Sequence, residues 1–188
     1  MKNIYVVTHG KKFPGANPGM TEEGFAEVAQ LRNLLPAKVR DVVCGTGKRH
    51  LDTVKALGLK PTRYTSAVGG PDSGEATVKG GPVDVVRLPC GTLVPYYRYT
   101  TLVDGQDGMK SVIAQLRNNS VVCAGRPSMI MLGMMEEDSK SAAVYKVSVA
   151  MVVVCVKVGD EPTLRIRIGR VLNIQEVKAV GTSEIHTV

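Results

Sequence analysis

Apolar residues in this chain change period in a repeating order. Residues 4–7, Ile-Tyr-Val-Val, form a short apolar run that predicts a buried strand, and a Gly/Pro-rich loop follows as far as Thr21. Thr21 suits a helix N-cap, and Glu22 and Glu23 sit where the positive end of a helix dipole favours carboxylates. Phe25, Val28, Leu31 and Leu35 then recur at helical spacing until Pro36 stops the pattern. The order repeats: residues 41–44 predict a strand, Gly45-Thr46-Gly47 a turn, and residues 49–57 a helix with Leu51, Val54 and Leu57 inward and Gly58 as its stop. Later, Met109, Val112, Ile113 and Leu116 mark a helix, residues 121–123 a strand, 124–127 a turn and 128–135 another helix. This alternation predicts an α/β three-layer sandwich, a mostly parallel central sheet flanked by helices.

Two regions depart from the alternation. Residues 60–105 are dense in Gly, Pro and Thr, with residues 83–88 as the one clear strand, and are expected to lie irregularly over the sheet edge. Residues 145–158 and 163–168 predict a C-terminal β-hairpin, because Leu164, Ile166 and Ile168 alternate with Arg165 and Arg167. Residues 178–188 read as a loose tail or an interaction strand.

At 188 residues the chain suits one domain, residues 1–188, large enough to bury a core without staples or metals. The four cysteines, Cys44, Cys90, Cys123 and Cys155, have neither metal-ligand nor redox spacing, and no metal or cofactor is implied. The amino-terminal apolar run is too short for a signal peptide, so reduced thiols and a cytoplasmic location are expected, with no membrane association. A net charge of +7 attracts anions. The 24 Lys and Arg are scattered, however, and two Phe with no Trp offer little for base stacking, which disfavours nucleic acid.

The candidate chemistry gathers at predicted strand exits, where open α/β sheets collect ligands. They carry His9-Gly10, Gly45 to Arg49 including Lys48, and Ala124-Gly125-Arg126. An imidazole, two guanidinium groups, a lysine and glycine-exposed amides suit a phosphoryl group. The Gly-Thr-Gly-Lys stretch is not a nucleotide P-loop, which would need Gly and Ser or Thr where Val42 and Arg49 stand.

Thr8-His9-Gly10, Met20-Thr21-Glu22-Glu23-Gly24 and the stretch CGTGKRHLDT at 44–53 resemble, in order and spacing, the motifs of the histidine phosphatase superfamily, the phosphoglycerate-mutase-like proteins. The resemblance is good over the first 58 residues, weak through the middle, and resumes at 121–133. It implies that His9 is the nucleophile that takes the phosphoryl group, that Arg49 clamps its oxygens, with Thr53 on the family's threonine, and that backbone N–H groups at Gly10 and Gly47 add donors. The nucleophilic ring would have its second nitrogen held by a backbone carbonyl. It also implies a carboxylic acid in the middle segment, for which Glu75 is the candidate, with Asp72 behind it.

Two departures qualify the implied activity. Thr8 stands where the family has an arginine and Ala124 where it has a second histidine. One preorganised donor is worth about 3–4 kcal/mol at the transition state, so losing two slows chemistry by roughly 10³–10⁶. Lys11, Lys12, Lys48, His50 and Arg126 are the cations within sequence reach, although His50 itself reads as a helix-surface residue and His186 as part of the tail. Three functions stay open: weak or specialised phosphomonoester hydrolysis through phospho-His9, a non-catalytic pseudophosphatase that senses or scaffolds a phosphoryl ligand, and a basic interaction module using Arg165, Arg167 and Arg170. The implied partner is a phosphorylated small molecule or a phosphoprotein; the sequence does not name the substrate or the oligomeric state.

Overall fold

The computed structural model describes residues 1–70, 85–87, 93–95, 109–125, 142–158 and 161–180, with 85–87, 93–95, 151–158 and 161–171 described as backbone only. β1 (Lys2–Thr8) leads through the loop to α1 (Glu22–Ala29), which continues as a 3-10 turn, Gln30–Leu34. Thr21 caps α1 as expected, its hydroxyl accepting from the Gly24 amide at 3.1 Å. β2 (Val42–Cys44), α2 (Lys48–Ala56) and the short β3 (Arg63–Tyr64) follow, then β4 (Val85–Arg87), β5 (Leu93–Pro95), α3 (Met109–Gln115), β6 (Ser120–Ala124), β7 (Ala143–Val158) and β8 (Glu161–Ala179). The further helix expected at 128–135 lies outside the described residues.

Among the described residues six strands make one sheet in the order β3-β2-β6-β1-β7-β8. The β3–β2, β2–β6 and β6–β1 pairs are parallel, while β1–β7 and β7–β8 are antiparallel. The α/β fold and the mostly parallel sheet thus agree with the sequence pattern. Its strands bury both faces. Ile4, Val6, Val43 and Val122 join Met109, Val112, Ile113 and Leu116 of the α3 region in one core, while Val7, Cys44, Val121 and Cys123 join Val28, Leu31, Val54 and Leu57 in the other. Alternate strand residues therefore face opposite helical layers, which makes the three-layer sandwich.

Three expectations change in detail. The hairpin is longer than its alternation suggested, and β8 runs through residues 169–179, so the start of the expected tail is sheet. β7 joins the sheet because Lys2 to Val7 supply an open edge that pairs with Val149 to Val144. Within residues 60–105, β3 extends the parallel sheet, and β4 pairs with β5 as a separate antiparallel ribbon. Leu51, expected inward, is 39% exposed, because α2 turns a different stripe to the core.

The ends of the strands away from the site are tied by side chains. Lys2 Nζ donates to the carbonyls of Ala114 and Leu116 at the end of α3, where a cation meets unpaired helix carbonyls. Asp41 accepts from the Arg117 side chain, the Arg117 amide and the Ser120 hydroxyl, joining the start of β2 to the start of β6.

Candidate functional site

His9 follows the last residue of β1 directly and is 7% exposed. Its Nδ1 lies 2.7 Å from the Gly10 carbonyl oxygen. A carbonyl only accepts, so in the neutral ring Nδ1 carries the proton and Nε2 the lone pair. The carbonyl of His9 itself accepts from the Ala142 amide at 2.8 Å, fixing the backbone between β1 and β7.

The neighbouring glycines permit this turn. A Cβ on Gly10 would overlap the carbonyl of Gly24, and a Cβ on Gly24 would overlap the carbonyl of Lys11. The chain leaving His9 therefore crosses the first turn of α1 backbone to backbone, which explains glycine at both motif positions. The Gly10 amide donates to Met20 Sδ at 3.2 Å.

The second strand exit brings in α2. Gly47 is its N-cap, and Arg49 and His50 in the first turn are both buried, at 3% and 0% exposure. Thr53, one turn on, is buried and donates to the Arg49 carbonyl at 2.8 Å. Arg49 Nη1 and His50 Cδ2 lie 3.0 and 3.1 Å from the point where a Cβ on Gly47 would stand, so guanidinium and imidazole converge on one glycine. The His50 ring also faces His9, their centroids 6.2 Å apart and the planes at 62°. His50 is thus not the helix-surface residue the sequence suggested. Its burial was readable in principle: Arg49, Thr53, Val54 and Leu57 define a helical stripe, and His50 falls inside it once polar residues are counted.

The other expected residues divide. Lys48 is exposed, with its stem across Gly19, and its amide donates to Asn17 Oδ1 at 2.9 Å. Lys11 pairs with Glu23 at 2.6 Å on the surface. Thr8 Oγ1 accepts from the Ala143 amide at 2.7 Å, so this side chain stitches β1 to β7. Ala124 is wholly buried in the core on the α3 face. Asp72, Glu75, Arg126 and His186 lie outside the described residues. Arg165, Arg167 and Arg170 fall in β8, where Arg165 and Arg167 register with Val154 and Val152.

Cys44, just before the Gly45 turn, donates its thiol to the Gly45 carbonyl at 3.1 Å. Burial pushes that thiol up to about 12, and burial, with Cys44 as neighbour, raises Cys123 well above its ordinary value, so both are neutral and neither is a nucleophile at physiological pH. Among the described residues no group of three or more His, Cys, Asp or Glu is arranged to hold a metal ion. No described helix is long and apolar enough to cross a membrane.

No protein-family model matches the sequence, and no curated protein matches it. Solved structures do resemble the fold, an α/β architecture with a largely parallel sheet and a C-terminal hairpin. One is TTHB049 from Thermus thermophilus, at a TM-score of 0.52 and 14% identity over 89% of this chain and 99% of that one. Others, below a TM-score of 0.5, are the protein histidine phosphatase SixA complexed with tungstate (0.43, 11% identity, 89% of this chain and 96% of that one) and a protein from Agrobacterium tumefaciens provisionally assigned as the phosphohistidine phosphatase SixA (0.44, 15% identity, 78% and 90%). At these identities the likeness is one of fold.

Proposed function

We propose that this chain hydrolyses phosphomonoesters through a phosphorylated His9. The observation that carries the reading is the Nδ1 contact with the Gly10 carbonyl, which orients the ring and leaves Nε2 as the nucleophilic nitrogen, with the buried Arg49 in the first turn of α2 after the β2 strand exit. Nε2 attacks phosphorus and the bond to the leaving oxygen breaks, the electron pair departing with that oxygen. Water then attacks the phosphoryl group, the P–N bond breaks, and its pair returns to Nε2 as inorganic phosphate leaves. Arg49 stabilises the equatorial oxygens in both steps, as a planar donor suited to phosphate geometry. The substrate class is a phosphorylated small molecule or a phosphoprotein.

A second reading, a pseudophosphatase that holds a phosphoryl ligand without fast turnover, draws on Thr8 and Ala124. Their side chains are committed to the sheet and the core, and neither brings charge to the site. The two readings separate in one experiment: turnover of an aryl phosphate and a phosphorylated-metabolite panel by wild type, His9→Ala and Arg49→Ala, with orthovanadate affinity measured by calorimetry. Slow wild-type hydrolysis, abolished in His9→Ala and reduced about 10²–10³-fold in Arg49→Ala, is expected. Vanadate binding without turnover selects the second reading. Turnover that survives His9→Ala sinks the first.

A further inference from the structure

The most enclosed polar ring of the site belongs to a residue that no motif placed there. His50 is wholly buried. Its ring is packed by four glycines from three segments: a Cβ on Gly45 or Gly69 would stand 2.6 Å from ring atoms, one on Gly47 3.1 Å and one on Gly125 3.4 Å. Gly45 and Gly125 are the first residues beyond β2 and β6, and Gly69 closes the turn after β3. The cradle is held by backbone hydrogen bonds, since the Thr46 amide donates to the Gly69 carbonyl at 2.7 Å and the Gly125 amide to the Val68 carbonyl at 2.8 Å. A fixed backbone cavity therefore holds the imidazole at the carboxyl ends of the parallel strands.

The ring sits 6.2 Å from that of His9 and shares Gly47 with the Arg49 guanidinium. Hydrogen bonds of about 2.8 Å let one phosphoryl group touch both imidazoles across that gap.

We infer that His50 is a second catalytic imidazole, donating a ring N–H to an oxygen of the phosphoryl group that His9 attacks. The inference rests on the reading of His9 as nucleophile. His50 reaches the group from the first turn of α2 and restores to the site an imidazole that Ala124, buried on the α3 face, does not provide. No proton moves in this role. The N–H binds more tightly as charge builds on the oxygen, so it acts on kcat more than on KM.

Wild type itself supplies the first test, because the chain has only three histidines and their ring resonances can be assigned by substitution. In a 15N-edited titration with orthovanadate, the rings of His9 and His50 should both shift while that of His186 stays. A shift of His9 alone would overturn the inference and leave the nucleophile reading standing; no shift at His9 would tell against that reading instead. The second test compares His50→Gln, which keeps an N–H of similar reach, with His50→Leu, which keeps volume alone. We expect kcat to fall about 10²–10³-fold in His50→Leu at little change in KM or melting temperature, and to stay within about tenfold of wild type in His50→Gln. Equal losses in both variants would assign His50 a structural role.

Discussion

Gly69 is far from any motif, yet its missing side chain leaves room for the His50 ring and the Gly125 backbone. A Cβ there would lie 2.6 Å from His50 Nε2 and 2.9 Å from the Gly125 amide nitrogen, and the second of these is backbone that cannot swing aside. Gly69→Ala must push either the 65–70 turn or the end of β6, at about 1–3 kcal/mol for overpacking. Denaturant unfolding should show that loss, and vanadate affinity should fall with it, because His50 and Gly125 move together. Unchanged affinity in a folded Gly69→Ala protein would separate the glycine cradle from the site. His9 and Arg49 were legible as candidates because each stands in a motif of fixed spacing. His50 was not, because a sequence reading assigns the inward face of a helix by its apolar residues, and those of α2 nominated Leu51.

At the scale of elements, the strand starts on the far side of the sheet are joined by charge. The Arg117 hydrogen bond, chiefly, holds the Asp41 carboxyl at about 2, against an ordinary value near 3.8. A carboxylate whose pKa is lowered on folding adds stability that is complete above the unfolded value and is lost as pH falls towards the folded one. Asp41→Asn should therefore melt below wild type at pH 7, by an amount corresponding to about 1 kcal/mol, and the two curves should converge between pH 4 and pH 2. A constant difference across that window would mean that shape at Asp41, not charge, joins β2 to β6. The hairpin teaches a related lesson about edges. Alternation located both of its strands, whereas their full length depends on β1 offering an antiparallel edge to β7, a pairing between residues 2–7 and 144–149 that no local pattern encodes.

For the whole molecule, the two helical layers enclose a sheet interior that opens only by losing both cores. Cys44 and Cys123 lie side by side there, in register across β2 and β6 and fully buried. Their thiols are neutral as well as enclosed, so alkylation by iodoacetamide at pH 8 should fail in the native state and proceed at the rate of global opening in mild denaturant. Peptide mapping of the labelled protein checks this. Labelling of either thiol without denaturant would mean that the β2–β6 seam opens locally.

By itself the sequence determined the order of the strands and helices outside residues 60–105, the α/β class, and the identity of His9 and Arg49 as candidate site residues. Those features are local: apolar period, caps, turn glycines and motif spacing act within a few residues of one another. Only the tertiary structure decided that β7 and β8 complete the sheet, that Thr8 is spent on Ala143, and that His50 lies against His9 in a cradle of glycines from three segments. Each of these depends on residues tens of positions apart meeting at one sheet edge. Such meetings follow from how the layers pack, which no window of sequence contains.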